Sequence, residues 1–365
     1  YTGEDVVELH GHGSPVMLRA LLHRLFALGC RPAEPGEFTR QAVLNGKMDL
    51  AQAEAVAACI DAATVRAGKQ AQLHLAGAFG RKVESIMDCL TGHIASLEAC
   101  LDFSDDDLPD LNIPTLREQL EREVCEPIRR LVRSASFGMR LFEGASIAIV
   151  GAPNVGKSSL LNVLSGIDRA IVSEVPGTTR DVLEVDFEIE GVPVRLVDTA
   201  GLRETQDTIE LEGIRRARKA AETADVVVFV SDGTRPETWS APAEADIRLM
   251  NKSDLCADAI FPQDFLSISA KTGQGVDRFR SELASRLVNL DLSGEDIFVT
   301  RERHRFLLGR ALSELEQGMD SLDEETLDLV AAHWRRAYDA LAEILGFGDV
   351  ESILDRIFSS FCIGK

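Results

Sequence analysis

The sequence has no uninterrupted apolar run near the length of about 18 residues that a membrane span needs, and it shows no signal peptide. Its seven cysteines include no C-x-x-C pair, which argues against a zinc ribbon or a disulfide framework. Positive charge is scarce, since 39 Lys and Arg residues face 60 Asp and Glu residues and leave a net charge of −21. So acidic a chain is not expected to grip nucleic acid over a broad surface. These absences favour a cytoplasmic protein with no membrane segment.

The length of 365 residues suggests two or three domains. The chain opens at Tyr1 without a methionine, and we expect a further N-terminal part to precede it. Residues 1–46 contain a strand-like run, Asp5–Leu9, and then a helix-period run that Gly29 should end. One strand and one helix cannot close a core by themselves, so this piece is predicted to be a remainder of an N-terminal domain.

Helical periodicity dominates residues 47–142 and 290–365, whereas residues 143–289 alternate strand and helix patterns. The sequence therefore predicts an α/β domain with a doubly wound parallel sheet, inserted between the halves of a discontinuous helical domain. In the first helical half, apolar residues recur on one face at Leu116, Leu120, Val124 and Ile128. Pro127 lies inside that helix and is expected to kink it.

A phosphate-binding motif opens the α/β domain. Residues 151–158 read G-x-x-x-x-G-K-S, after the apolar run Ile147–Val150 and before a helix-period segment. This strand–loop–helix context is the one in which backbone N–H groups turn toward phosphate oxygens at a helix N-terminus. Lys157 would reach the β- and γ-phosphates, and the Ser158 hydroxyl would ligate Mg²⁺. A nucleotide site is therefore predicted here.

Three further motifs follow in the order of a Ras-like GTPase. Gly177-Thr178-Thr179 fits the first switch, whose Thr closes over Mg²⁺, and Asp198–Gly201 fits the D-x-x-G of the second. Asn251–Asp254 fits N-K-x-D, in which the aspartate accepts two hydrogen bonds from guanine. Ser269-Ala270-Lys271 would complete the base pocket, so the nucleotide is predicted to be GTP. The predicted nucleotide-binding residues are Asn154, Val155, Gly156, Lys157, Ser158, Ser159, Thr178, Thr179, Asp198, Thr199, Ala200, Gly201, Asn251, Lys252, Asp254, Ser269, Ala270 and Lys271.

The residues alone do not identify the group that catalyses hydrolysis. Leu202 stands where many Ras-like proteins place a glutamine that orients the attacking water. A cis arginine finger, Arg203 or Arg180, and a carboxylate acting through water both remain open from the residues alone. The nearby carboxylates are Glu204, Asp207 and Glu210.

Taken together, these motifs resemble one family, the bacterial tRNA-modification GTPases called MnmE or TrmE. The resemblance covers the whole chain, with the family's N-terminal segment expected to be missing. It rests on motifs spread over all three predicted domains: Tyr1–Asp5, Pro35–Thr39, Leu44–Leu50, Gln52–Ala55, Gly151–Ser159, Gly177–Asp181, Asp198–Arg203 and Phe361–Lys365.

The resemblance implies a homodimer joined through an α+β N-terminal domain, here residues 1–46, that binds a tetrahydrofolate one-carbon donor (5-formyl or 5,10-methylene). By motif position, the folate contacts would be Glu8, Lys47 and Lys365. It also implies a heterotetramer with the FAD-dependent partner MnmG. That complex installs a (carboxymethyl)aminomethyl group at C5 of the tRNA wobble uridine, and the partner would supply most of the grip on tRNA.

The resemblance further implies K⁺-stimulated GTP hydrolysis coupled to pairing of two G domains, here residues 143–289. Ser158 and Thr179 would ligate Mg²⁺. The K⁺ ligands would be Asn154, Ser173, Val175 and Thr178. Glu210, in an E-x-x-G-I context, would position the attacking water, and Cys362 lies where the family has a cysteine considered for catalysis.

Two other functions fit parts of the pattern. A ribosome-assembly or signalling GTPase of the same fold would share the four nucleotide motifs, but the split helical domain and the lack of a basic appendage argue against it. A folate-dependent transferase with a vestigial GTPase is disfavoured because all four motifs are intact.

Glu210→Ala tests the assignment of the water-positioning group. The variant should still bind GTP and should lose most of its hydrolysis, because binding uses other residues. Single-turnover hydrolysis and nucleotide binding are measured side by side. Unchanged turnover would return the role to Arg203 or Glu204.

Overall fold

The structure is a computed structural model that describes residues 1–102, 112–167, 187–197, 222–235, 237, 242, 245–256, 261–287, 297–323, 326–347 and 357. The chain forms two compact units. The first comprises Tyr1–Asp61, Gln70–Arg133 and Glu302–Lys365, and the second comprises Ala62–Lys69 and Ser134–Arg301. The predicted domain boundaries stay a prediction.

The helices carry most of the described chain. In order they are α1 (Pro15–Ala27), α2 (Glu37–Leu44), α3 (Leu50–Asp61), α4 (Val65–Leu75), α5 (Ala78–Asp102), α6 (Ile113–Leu120), α7 (Glu126–Glu143), α8 (Lys157–Ile167), α9 (Val276–Leu287), α10 (Glu302–Asp320) and α11 (Leu327–Leu345). A π turn, Glu121–Cys125, joins α6 to α7, and a 3₁₀ turn spans Ser253–Leu255. Within the described ranges, no helix is both long enough and apolar enough to cross a membrane.

The N-terminal stretch departs from the prediction in one element. The helix forms as expected, and Gly29 follows its end with a φ of 101° that favours glycine. The strand predicted at Asp5–Leu9 is wrong, since these residues form no strand. A strand needs a neighbour for its backbone hydrogen bonds, and residues 1–47, all of them described, offer none. No residue of α1 is buried, and most of its large apolar side chains are exposed.

The core of the first unit is helical. α10 and α11 pack along their lengths, and Trp334 on α11 is fully buried together with Leu341. The close approach of α10 to α11 requires glycine at position 318, because a Cβ there would lie 2.8 Å from Nε1 of Trp334. Trp334, Leu341 and Leu345 therefore lie on the buried face of this helix.

A buried ionic cluster links α3 to α10 within the same unit. Arg303 donates from Nε and Nη2 to the two oxygens of Glu54 at 3.1 Å each, and Nε2 of His304 lies 2.7 Å from Glu54 Oε2. Burial raises the pKa of the Glu54 carboxyl, but the charges of His304 and Arg303 outweigh this and hold it well below its usual range. Glu54 therefore stays ionised and must stay paired, since a lone buried charge is costly.

A π turn directly before α7 accommodates Pro127. The backbone N–H of Glu126 donates to the carbonyl of Glu121, five residues earlier, rather than four. A proline has no N–H to give and crowds the preceding turn of an α-helix. The wider turn accommodates Pro127 near the start of α7, so the predicted disturbance appears as a local change of helix type.

The second unit is built on a six-stranded sheet. Its strands are β1 (Ala145–Val150), β2 (Phe187–Ile189), β3 (Val192–Leu196), β4 (Val226–Asp232), β5 (Ile247–Asn251) and β6 (Leu266–Ser267). Their order is β2-β3-β1-β4-β5-β6, with β2 and β3 antiparallel and the remaining pairs parallel. The sheet is mixed rather than parallel throughout, because the hairpin that turns at Gly191 forms an antiparallel edge.

Buried apolar strands fix the position of the site. Every residue of β4 is buried, as expected for a central parallel strand with both faces covered. β1 lies between β3 and β4, so the chain continues to one side of β1 for β2 and β3 and to the other side for β4. Such a switch point leaves a crevice at the carboxyl ends of the strands, where ligands of this fold class bind. The loop after β1 begins at that crevice.

Gly138 in α7 offers a test of packing in the second unit. A Cβ at this position would lie 2.2 Å from the carbonyl oxygen of Val299 and 2.9 Å from Cβ of Phe298. Gly138→Ala should therefore destabilise the protein by about 1–3 kcal/mol, although alanine is the better helix former. Calorimetric unfolding measures the loss.

Gly166→Ala is the matched control, because a Cβ there meets no atom of the described residues within 4 Å and the residue lies in α8 of the same unit. It should be neutral or slightly stabilising. Equal stability of the two variants would contradict the packing at Gly138.

Candidate nucleotide site

The loop between β1 and α8 has the backbone that a phosphate-binding loop needs. A Cβ on Gly151 would lie 2.2 Å from the carbonyl oxygen of Val230 in β4, so only glycine fits beside the strand. Gly156 has a φ of 99°, and a Cβ there would lie 2.2 Å from Nδ2 of Asn251. The two glycines of the motif are thus required by close approach, and Lys157 begins α8 directly after the second one.

Lys157 folds back over its own loop. Its ammonium donates to the carbonyl oxygens of Gly151 and Ala152 at 2.8 Å each. Burial lowers the pKa of Lys157 from its ordinary value. Ser158 and Ser159 are exposed in the first turn of α8, where orphan N–H groups and the helix dipole favour an anion. The arrangement provides a positive cradle for phosphates and an oxygen donor for a divalent cation.

Asn154 adopts a left-handed conformation with a φ of 63°. Its backbone carbonyl accepts a hydrogen bond from the ammonium of Lys252 at 2.9 Å, while the residue itself is exposed. Asparagine tolerates this region of φ better than most residues. Lys252, in the N-K-x-D loop, therefore holds the backbone of Asn154 in place.

The N-K-x-D loop begins where β5 ends, and its asparagine joins three segments. Asn251 is buried; its Nδ2 donates to the carbonyl of Val155 at 2.8 Å, and its Oδ1 accepts from the N–H of Ala270 at 2.9 Å. The Ser269 hydroxyl donates to Oδ1 of Asp254 at 2.7 Å. The structure thus brings the P-loop, the N-K-x-D loop and Ser269-Ala270 into one site, as the motifs predict.

One buried carboxylate beside these loops is not part of any predicted motif. Asp232 ends β4 and is buried, and its Oδ2 accepts from Nζ of Lys252 at 2.6 Å. It belongs to none of the four motifs. The available signal was a carboxylate two residues after the apolar run Val226–Val230, beside the strand that leads into N-K-x-D.

Two of the three predicted folate contacts, Glu8 and Lys47, are among the described residues, and they have different neighbours. Glu8 is exposed and lies beside Nε2 of His10, at 3.1 Å. Lys47 is exposed, and its side chain runs so close to Gly3 that a Cβ there would lie 2.9 Å from Lys47 Cε. Asn45 donates to the carbonyl of Thr2 at 2.8 Å and so ties the first residues to the segment that carries Lys47.

Several predicted site residues lie outside the described residues. They are Ser173, Val175, Thr178, Thr179, Asp198, Thr199, Ala200, Gly201, Glu210, Cys362 and Lys365. Their assignments stay predictions.

Comparison with known proteins gives the family. A family model described as the MnmE helical domain matches residues 50–362, and one described as the GTP-binding protein TrmE N-terminus matches residues 1–47. The tRNA modification GTPase MnmE of Methylococcus capsulatus is 44% identical over 376 residues, covering 100% of this chain and 84% of its own. That of Azorhizobium caulinodans is 45% identical over 368 residues, covering 100% and 83%. The chain belongs to the MnmE family.

The match to the MnmE helical domain runs through residues whose structure is not described, including the two segments predicted to be switches. The resemblance stated from the motifs is confirmed. A solved structure of the cytosolic domain of the T. maritima FeoB iron transporter, in a GDP form, is 17% identical and covers 55% of this chain and 98% of its own. Its TM-score of 0.27 is too low to carry an argument.

Proposed function

We propose that this protein is a GTP hydrolase that acts in the modification of tRNA. The observation that carries the proposal is the junction at Asn251, which holds the phosphate loop at Val155 and the Ser269-Ala270 segment through one buried amide. A site built this way places a nucleotide's phosphates and base in fixed relation. Family membership supports the same activity, since the relatives at 44% and 45% identity are named tRNA modification GTPases.

Guanine selectivity follows from the carboxylate of Asp254. An ionised carboxylate can accept two hydrogen bonds from guanine N1 and N2, and adenine offers no such pair of donors. The Ser269 hydroxyl already donates to Oδ1 of Asp254 and so holds the carboxylate in one orientation. Ala270 and Lys271 complete the base pocket in this proposal.

The hydrolytic step needs help that a glutamine gives in other GTPases, because Leu202 occupies that position. In the proposal Ser158 and Thr179 hold Mg²⁺, while Asn154 and Thr178 hold K⁺ with backbone oxygens of Ser173 and Val175. Asn154 and Ser158 fit these roles, since both are exposed oxygen donors at the phosphate loop. The cations supply positive charge where negative charge develops on the phosphates. Glu210 orients the attacking water.

Asn154 gives the test of the cation. Turnover of GTP should be severalfold faster in K⁺ than in Na⁺ at equal ionic strength, and Asn154→Ala should remove the difference, because the amide oxygen is a ligand. Steady-state phosphate release measures both. The carbonyl of Asn154 holds Lys252 in either variant, so GDP affinity serves as the control and should change little. Equal rates in the two salts for the unaltered protein would contradict the cation mechanism.

The role in tRNA modification is proposed to require a partner. A net charge of −21 opposes the approach of a polyanion, so a positively charged surface must come from elsewhere. We assign it to the FAD-dependent protein MnmG, in a heterotetramer with a homodimer of this chain in the cytoplasm. The complex would install the (carboxymethyl)aminomethyl group at C5 of the wobble uridine.

The one-carbon unit is proposed to come from a tetrahydrofolate derivative bound by the N-terminal domain, residues 1–46. Glu8, Lys47 and Lys365 would contact it. The first residues and the segment bearing Lys47 pack together through Asn45 and Thr2, which supports a shared site there. The remaining domains would be the helical one, residues 47–142 and 290–365, and the G domain, residues 143–289. Cys362 would lie near the folate.

Nucleoside analysis of tRNA tests this function. Total tRNA from cells that lack the protein should lack the modified wobble uridine, and the gene for the unaltered protein should restore it. A gene for Lys157→Met, which removes the ammonium from the phosphate loop, should not restore it. An unaltered wobble uridine in the deletion strain would refute the proposal, whatever the rate of GTP hydrolysis in vitro.

A further inference from the structure

Asp232 occupies a position from which a carboxylate can act on two loops. It is the last residue of β4 and pairs in register with Asn251, the last residue of β5. Gly233 donates its N–H to the carbonyl of Asn251 at 2.8 Å, so the ends of the two strands are joined. The side chain of Asp232 is 1% exposed. A carboxylate that deeply buried requires partners for its charge.

Its two oxygens have separate partners. Oδ1 accepts from the N–H of Thr234 at 2.9 Å and from the Thr234 hydroxyl at 2.7 Å. Oδ2 accepts from Nζ of Lys252 at 2.6 Å, and Nε of Arg235 lies 4.0 Å from the same oxygen. Burial raises the pKa of Asp232, but the hydrogen bonds from Lys252 and Thr234 outweigh it, and the pKa lies below its ordinary value. Asp232 is therefore a fixed anion: one oxygen accepts from Thr234, and the hydrogen bond of the other is to Lys252.

Lys252 spans from this anion to the phosphate loop. The same Nζ donates to the carbonyl oxygen of Asn154 at 2.9 Å. Lysine has a flexible stem, and its ammonium takes a defined place only when charged or polar groups hold it. Lys252 itself is in the left-handed region, with a φ of 62°, so its loop already has an unusual backbone. The carboxylate of Asp232 is the charged group that keeps this ammonium from turning toward solvent.

We infer that Asp232 is a positioning residue of the nucleotide site, which holds the Lys252 ammonium against the carbonyl of Asn154 and so joins the guanine-binding loop to the phosphate loop. The inference rests on the proposed binding of guanine nucleotides. Asp232 acts through Lys252 and need not touch the nucleotide. Without its charge, Lys252 turns toward solvent, the Asn154 carbonyl loses its donor, and the phosphate loop holds the nucleotide for a shorter time.

A double-mutant cycle on nucleotide release tests this inference. The probe is a fluorescent N-methylanthraniloyl derivative of GDP, chased with excess GDP in the presence of Mg²⁺. Asp232→Asn should speed its dissociation on the order of tenfold, because the Asn154 carbonyl in the phosphate loop would lose the charged donor that Asp232 holds in place. In a Lys252→Met background the same change should alter the rate by less than about twofold, since the group it acts through is gone.

Two variants separate this role from a structural one. Thr234→Val removes the hydroxyl from Oδ1 and leaves the pair with Lys252 intact, so dissociation should stay near the normal rate. Asp246→Asn changes a carboxylate at the other end of the sheet, where it accepts from the N–H of Val227, and should also leave the rate unchanged. Asp232→Ser repeats the cycle with an oxygen acceptor for Thr234, in case the asparagine variant folds poorly.

The outcomes are distinct. A large effect of Asp232→Asn that vanishes with Lys252→Met supports the inference. The same factor in both backgrounds, or an equal effect from Thr234→Val, overturns it, because Asp232 would then act only on the turn. Failure of the unaltered protein to bind the GDP probe would instead overturn the proposed function.

Discussion

The nucleotide site depends on one buried amide. Asn251 donates to the phosphate loop at Val155 and accepts from Ala270, so a single side chain sets the spacing of three loops that come from distant parts of the sequence. The same amide leaves no room for a side chain at position 156. The glycine of the phosphate motif and the asparagine of the guanine motif are therefore two halves of one contact. Loss of the amide would leave a buried carbonyl and a buried N–H without partners, a penalty that a neutral surface contact never carries.

The sequence predicted the second unit well and the N-terminal stretch less well, for physical reasons. The strands β1, β4 and β5 are apolar runs between recognisable loops, as expected of parallel strands that are covered on both faces. Asp5–Leu9 has a similar pattern, but a strand also needs a neighbour, and that is not a local property of the sequence. Periodicity reports which face of a segment is apolar; it does not report what that face meets.

The residues of the candidate site also differ in whether the sequence alone could predict them. The phosphate loop and the N-K-x-D loop could be predicted from sequence because each motif carries its chemistry in consecutive residues. Asp232 could not, since its partner Lys252 follows the next strand, and the register of β4 and β5 brings the two side chains together. Glu54 and Arg303 make the same point in the first unit, where the two ends of an ion pair lie 249 residues apart.

The π turn at Glu121–Cys125 has a consequence for the geometry of the helix that contains it. Leu116, Leu120, Val124 and Ile128 recur every fourth residue, and in a pure α-helix each such step would drift about 40° around the axis. Three steps would carry Ile128 about 120° away from Leu116, yet all four side chains are buried. The extra residue in the π turn takes back about 100° of that rotation and keeps the stripe straight. The π turn is equivalent to the insertion of one residue, and the rotation it adds offsets the drift of the four-residue spacing. A one-residue deletion there would rotate α7 relative to α6.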